Sequence, residues 1–261
     1  MKNAILILAL ILSLFFISGC MNTEQDNLDK IRYIEIKVYD PVYIAQEKGF
    51  FLEENLTVDF VGELYGGPEM IQALASNSAD AATTSTIALI NARKNGISIK
   101  GVWDMQTSTY QNPIHTWIAL KSSNITSVND LRNKKIGVNT LGSAFHYMTL
   151  EYLKQNNINE NDVKFVVIPH PHMEQSLLSG QIDVAGMVTP YNEFLLQKNN
   201  NSVVLFNTND IFGENMQSVI GIFSDRYIAE NPENVKKFFE AYKKAIIFIE
   251  ENPIEAKKII S

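Results

Sequence analysis

Met70-Ile71-Gln72-Ala73-Leu74-Ala75-Ser76, with Asp80 and Ala82 behind it, returns 103 residues later as Met173-Glu174-Gln175-Ser176-Leu177-Leu178-Ser179, with Asp183 and Ala185 behind it. Methionine, glutamine, leucine, serine, aspartate and alanine coincide. In the first copy Met70, Ile71 and Leu74 fall on one helical face, Gly67-Pro68 supplies a start with Pro in the first turn, and Asp80-Ala81-Ala82 begins a short strand. Upstream, Ile34, Ile36 and Val38 alternate as a strand, Tyr43 to Phe51 suits a helix ended by Gly49, and Thr57 to Val61 returns as a strand. Downstream, a helix from Thr86 to Asn95 closes at Gly96, and Ile97 to Trp103 is strand-like. The second copy has the same flanks: strand Lys135 to Asn139, helix Phe145 to Asn156, strand Val163 to Ile168. Two similar lobes of parallel strands with crossover helices follow, and a cleft between them.

Composition agrees with a folded body and narrows its partners. Of 261 residues 46% are apolar, enough for sizeable cores, and the net charge of −7 is opposite to a phosphate-binding footprint, so nucleic acid is not an expected partner. The one cysteine, Cys20, leaves no disulfide framework, cysteine zinc site or CxxC redox pair.

That cysteine closes a leader. Lys2 precedes the apolar run Ala4 to Ile17, which at about 1.5 Å per residue is too short for a bilayer core of roughly 30 Å and reads as a signal-peptide segment. Ile17-Ser18-Gly19-Cys20 resembles a lipobox, where cleavage leaves Cys20 for acylation. Residues 1–19 are therefore expected to be a signal peptide, and 20–30, polar and aperiodic, a lipidated tether. At the other end Val235, Phe238, Phe239, Tyr242, Ala245, Ile246 and Ile249 form an amphipathic stripe expected to return to the first lobe, and Ile254 to Ser261 is again helical in pattern.

Pro41-Val-Tyr-Ile-Ala-Gln-Glu-Lys-Gly-Phe-Phe resembles the P-x-x-x-A-x-x-x-G-F-F signature of the nitrate/sulfonate/taurine and thiamine-precursor binding proteins of ABC importers. Val128-Asn-Asp-Leu-Arg-Asn-Lys-Lys-Ile-Gly-Val resembles that family's D-L-x-G-K-x-I-G-V, with Asn133 where Gly is usual. Gly142-Ser143, Leu177 to Asp183, Thr189-Pro190-Tyr191 and Asn231-Pro-Glu-Asn-Val-Lys-Lys-Phe resemble further elements in the same order, so the likeness covers residues 32 to 258.

The resemblance implies an α/β, two-lobed type II periplasmic-binding-protein fold, each lobe a mixed, mainly parallel sheet flanked by helices. Lobe 1 would hold residues 31–117 and 220–261, and lobe 2 residues 118–219. It implies an extracytoplasmic, lipid-anchored monomer that takes a small-molecule solute and delivers it to an ABC permease and its ATPase, with no cofactor and no metal. Ligands of open α/β sheets sit beyond the carboxyl ends of strands, where helix N-termini present free N–H groups.

Candidate ligand residues come from both lobes. Asp40 reads either as a helix cap or as a carboxylate for a ligand amine, with Tyr43 beside it. Thr83, Thr84, Ser85 and Thr86 either cap a helix or offer hydroxyls to a solute. Gly142 and Ser143 open the second-lobe helix, and Thr189 and Tyr191 belong to the family's second-lobe rim, where Tyr191 either stacks or packs. His115, His146, His170 and His172 show no metal-ligand spacing, and His170-Pro-His172 reads as a surface turn. No G-x-S-x-G, P-loop or G-x-G-x-x-G occurs. The segments expected at the cleft carry no Lys or Arg but do carry Asp40, Glu63, Glu69, Asp104, Glu174 and Glu193 with Trp103 and Trp117, a balance that leans toward an aromatic or amine-bearing ligand such as a pyrimidine. The alternative is a membrane-tethered enzyme or sensor domain of this fold acting on a small heterocycle.

Overall fold

A computed structural model describes residues 28–35 and 40–260. The expected signal peptide, Cys20 and most of the tether lie outside the described residues, as does Ser261. The tether is shorter than expected at its far end, because a strand begins at Asp29.

Lobe 1 contains β1 (Asp29–Glu35), β2 (Leu56–Glu63), β3 (Ala81–Ser85), β4 (Ile99–Ser108) and β10 (Met216–Ser224), in the order β2-β1-β3-β10-β4. Lobe 2 contains β5 (His115–Leu120), β6 (Lys135–Val138), β7 (Lys164–Val167), β8 (Val184–Val188) and β9 (Ser202–Asn207), in the order β7-β6-β8-β5-β9. In each sheet four strands run one way and one, β10 or β5, runs antiparallel to both its neighbours, so each is mixed and mainly parallel, as the resemblance implied.

The repeat is legible in the ladders themselves. Tyr33 stands opposite Ala81 and Ile34 opposite Ala82, while Ile136 stands opposite Val184 and Gly137 opposite Ala185, the same pairings moved by 103. The repeated aspartate has one job in both copies. The backbone N–H of Arg32 donates to Asp80 Oδ2 at 2.9 Å, and that of Lys135 donates to Asp183 Oδ2 at 2.8 Å. Asn133, standing where the family pattern has glycine, sits at φ 62°, a left-handed conformation that asparagine tolerates.

Lobe 1 carries α1 (Pro41–Glu47), α2 (Phe50–Glu53), α3 (Gly67–Ala75), α4 (Thr86–Lys94), α9 (Asp225–Glu230), α10 (Pro232–Glu251) and α11 (Pro253–Ile260). Lobe 2 carries α5 (Ala144–Gln155), α6 (His170–Leu178), α7 (Tyr191–Lys198) and α8 (Thr208–Phe212). The single helix expected over Tyr43 to Phe51 is two, broken where Gly49 turns left-handed at φ 74°. The stripe of α10 does return to lobe 1, where Phe238 packs on Phe51 at 5.5 Å and on Trp103 at 5.2 Å between ring centres. In lobe 2 Trp117 stacks on Phe206 at 4.5 Å and donates its Nε1–H to Thr149 Oγ1 at 2.8 Å.

The lobe boundaries differ from those expected at 118 and 220. β5 starts at His115 and pairs within lobe 2, and β10 starts at Met216 and pairs within lobe 1. The chain therefore crosses between lobes at residues 109–114 and 213–215. Asn209 Nδ2–H, just before the second crossing, donates to the Thr109 carbonyl in the first at 2.5 Å, and the two ends of the first are tied by the Ile114 N–H donating to Ser108 Oγ at 3.2 Å.

Candidate functional site

Between the lobes lies a cavity of about 60 Å³, at the carboxyl ends of the strands. Lobe 1 contributes Tyr65, Gly67, Met70, Thr83, Thr84 and Ser85 with Gln106 and Val219; lobe 2 contributes His115, Asn139, Ser143, Phe145, His170 and Val188 with Ala144. Several of the polar groups stand where an element ends. Thr84 and Ser85 finish β3, and Ser85 Oγ caps α4 by accepting from the Ala88 N–H at 3.1 Å. Asn139 follows β6 by one residue, and Ser143 caps α5. Gly67 begins α3 and His170 begins α6. Four helix N-termini, two from each lobe, thus converge with their positive dipole ends.

Among the described residues that line the cavity none is Asp, Glu, Lys or Arg. Four polar atoms of lining residues are buried without a hydrogen-bond partner: Thr83 Oγ1, Thr84 Oγ1, Asn139 Oδ1 and His170 Nδ1. Burial lowers the His170 pKa to about 4. His115 falls to about 3, through burial first and the neighbouring His170 second. Both imidazoles are therefore neutral near pH 7. Their rings flank Phe145, at 4.9 Å for His115 and 5.4 Å for His170.

The lobes touch across the cavity. Asn139 Nδ2–H donates to the Tyr65 carbonyl at 2.7 Å. At Gly66, whose φ of −137° suits any residue, a Cβ would lie 2.5 Å from Thr140 Cγ2, so the approach of the two lobes depends on a bare backbone.

The candidates from sequence divide accordingly. Thr84, Ser85 and Ser143 line the cavity. Asp40 does not. It caps α1 through the Val42 N–H at 3.0 Å, and its other oxygen accepts from the Tyr33 hydroxyl at 2.5 Å. Burial pushes its carboxyl up to about 6 against those two hydrogen bonds. Tyr43 stacks on Phe60 at 5.1 Å inside lobe 1. Thr86 opens α4 and is not among the lining residues. Gly142 donates its N–H to His146 Nδ1 at 3.2 Å and faces Pro68 of lobe 1. Thr189, before a cis Pro190, donates from Oγ1 to the Pro113 carbonyl at 3.4 Å. Tyr191 lies nearly parallel to the His170 ring, 6.1 Å away.

Three expectations are corrected. His170-Pro171-His172 is no surface turn but the start of α6, where Pro171 loses no helical hydrogen bond; His170 turns inward at 5% exposure while His172 stays outside. None of the six carboxylates expected at the cleft lines the cavity. Trp103 and Trp117 belong to the lobe cores. Sequence reasoning also left Asn139, His115 and His170 without ligand roles. The available signal was positional: Asn139 ends a strand, and His170 stands 103 residues after Gly67, at the matching helix start. Among the described residues no cluster of three or more His, Cys, Asp or Glu is placed to hold a metal, and no helix is long and apolar enough to cross a membrane.

The profile of the family described as NMT1/THI5 like matches residues 37–256. A Bacillus subtilis (strain 168) protein named for the binding of aliphatic sulfonates is 24% identical over 100% of this chain and 78% of its own length. The formylaminopyrimidine-binding protein of Halalkalibacterium halodurans is 22% identical over 97% of this chain and 77% of its own. Among solved structures, the alkanesulfonate-binding protein SsuA from Xanthomonas axonopodis pv. citri, bound to MOPS, superposes with a TM-score of 0.73 at 19% identity, covering 88% of this chain and 78% of that one. That likeness shows the fold: two mixed sheets flanked by helices, of the periplasmic-binding-protein type.

Proposed function

The chain belongs to the NMT1/THI5-like family, and from that premise we propose that it is the extracytoplasmic solute-binding lipoprotein of an ABC importer. It captures one small molecule between its lobes and delivers it, unaltered, to the permease. The observation that carries this reading is the cavity lined from both lobes, with Thr84 Oγ1, Asn139 Oδ1 and His170 Nδ1 buried and unpaired around it. Buried polar atoms without partners are costly, so a molecule that pairs with both lobes at once favours the closed arrangement over any other. Relatives named for sulfonate and for formylaminopyrimidine binding support a small-molecule solute. Cys20, after cleavage behind Gly19, carries the lipid anchor, and the protein works as a monomer on the outer face of the cytoplasmic membrane.

A thermal-shift screen over nitrate, taurine, ethanesulfonate and aminopyrimidines tests the receptor. One class raises the melting temperature in a concentration-dependent way, and the same molecule is recovered chemically unchanged. Turnover of the bound molecule would instead favour a tethered enzyme of this fold. Cys20→Ala is expected to move the protein from the membrane fraction to the soluble one.

A further inference from the structure

One side chain in the cleft has both a lobe contact and an empty valence. Asn139 follows β6 in lobe 2 and is 8% exposed. Its Nδ2 is identified by its partner: only the amide nitrogen can donate to the Tyr65 carbonyl of lobe 1, 2.7 Å away. The other amide atom, Oδ1, is then a pure acceptor, and it is buried at the cavity with no hydrogen bond. We propose that Asn139 couples recognition to closure: its N–H latches lobe 2 onto Tyr65 while its oxygen accepts from an N–H or O–H of an uncharged solute.

This rests on reading the cleft as a solute site, and it specifies what that site selects. An acceptor oxygen asks for a donor, which nitrate and simple alkanesulfonates such as ethanesulfonate lack at neutral pH. The four helix N-termini that converge here favour negative charge, but an anion's oxygens would face the acceptor Oδ1 in a cavity whose described lining includes no Lys or Arg. His170, unpartnered at Nδ1 and 5% exposed, is a second neutral group that can donate or accept. Phe145, between the two imidazoles, offers an apolar ring face. Because one planar amide serves both partners, a solute that orients Oδ1 also aims Nδ2 at Tyr65, and opening the lobes releases both together.

Titration calorimetry at pH 7.5, with 4-amino-5-hydroxymethyl-2-methylpyrimidine against ethanesulfonate and nitrate, is paired with small-angle scattering of the full chain. The wild type is expected to bind the pyrimidine at least tenfold more tightly than either anion, and to compact on binding. Asn139→Ala is expected to weaken the pyrimidine at least tenfold without lowering the melting temperature of the unliganded protein. Asn139→Asp keeps an acceptor but cannot latch, so the pyrimidine still binds while solute-induced compaction is lost. Preference for an anion, unchanged affinity in Asn139→Ala, or wild-type compaction in Asn139→Asp overturns the coupling and leaves the solute receptor standing. No binding by any probe overturns both.

Discussion

In lobe 1 the helix after the first strand is capped by Asp40; 103 positions on, the matching helix of lobe 2 is capped by Ser143. The scaffolds agree down to ladder register and the aspartate that ties each helix-to-strand turn. The chemistry they carry does not. Asp40 is turned into its own lobe, held by Tyr33, whereas Ser143 faces the cavity. Gly67 begins its helix as bare backbone, so close to Thr84 that a Cβ would lie 2.5 Å from its hydroxyl; His170 begins the matching helix with an imidazole. Backbone geometry was kept in both halves, while the side chains at helix starts were free to diverge, and the cleft is asymmetric as a result. Lobe 1 offers hydroxyls, peptide groups and the Gln106 amide; lobe 2 offers the Ser143 hydroxyl, the Asn139 amide and two neutral imidazoles.

The largest effect tests whether the halves are energetically separate. Phe238→Ala removes the ring at the centre of lobe 1 and is expected to cost about 3–5 kcal/mol, splitting the calorimetric transition so that lobe 1 melts first. A single transition, shifted as a whole, would show that the lobes unfold as one. Next come the paired caps. Asp40→Ala removes a cap and strands the Tyr33 hydroxyl, for roughly 2–3 kcal/mol of stability with little change in solute affinity. Ser143→Ala is expected to cost only about 1 kcal/mol but to weaken the solute, and equal effects at the two positions would break the contrast. Gly66→Ala wedges Thr140 away without straining the backbone. About a tenfold loss of affinity, roughly 1.4 kcal/mol, is expected at unchanged melting temperature, measured by calorimetry and thermal denaturation.

The smallest effect has opposite signs in the two lobes. Asp40 has its folded pKa raised to about 6 from an ordinary 3.8, so its contribution is fully present below the lower value and is lost as pH rises through the upper one. His115 and His170 have folded values near 3 and 4 against an ordinary 6.5, so lobe 2 loses stability as pH falls from 6.5 toward 4. Between pH 6 and 4.5 amide exchange, corrected for its intrinsic rate, is expected to slow in lobe 1 and quicken in lobe 2. The same direction in both lobes would remove these groups as the cause.

The repeat made most of the lobes readable. Its spacing marked two similar strand-helix-strand lobes, while the ladders that pair β3 with β1 and β8 with β6 are findings of the structure. The cleft segments were readable too, since Thr84, Asn139 and His170 all sit at element ends. What was not readable was which way each side chain turns there. Asp40 and Ser143 look alike as caps, and only the presence of Tyr33 on the neighbouring strand turns Asp40 inward. Trp103 and Trp117 were expected at the cleft as the ends of one segment read as facing it, but both lie within strands whose alternation puts them on core faces. His170 was hidden by Pro171, which marks a turn and a helix start equally well.

The two lobes share only two covalent links among the described residues, 109–114 and 213–215, and Asn209, in the helix that leads into the second, ties it to the first through the Thr109 carbonyl. Two straps fastened side by side behave like paired hinges on a door: they permit swinging about one line and resist twisting about any other. The jaws must therefore meet in the same alignment each time, which is what lets a bare Gly66 find Thr140 and a single amide find its carbonyl, swing after swing.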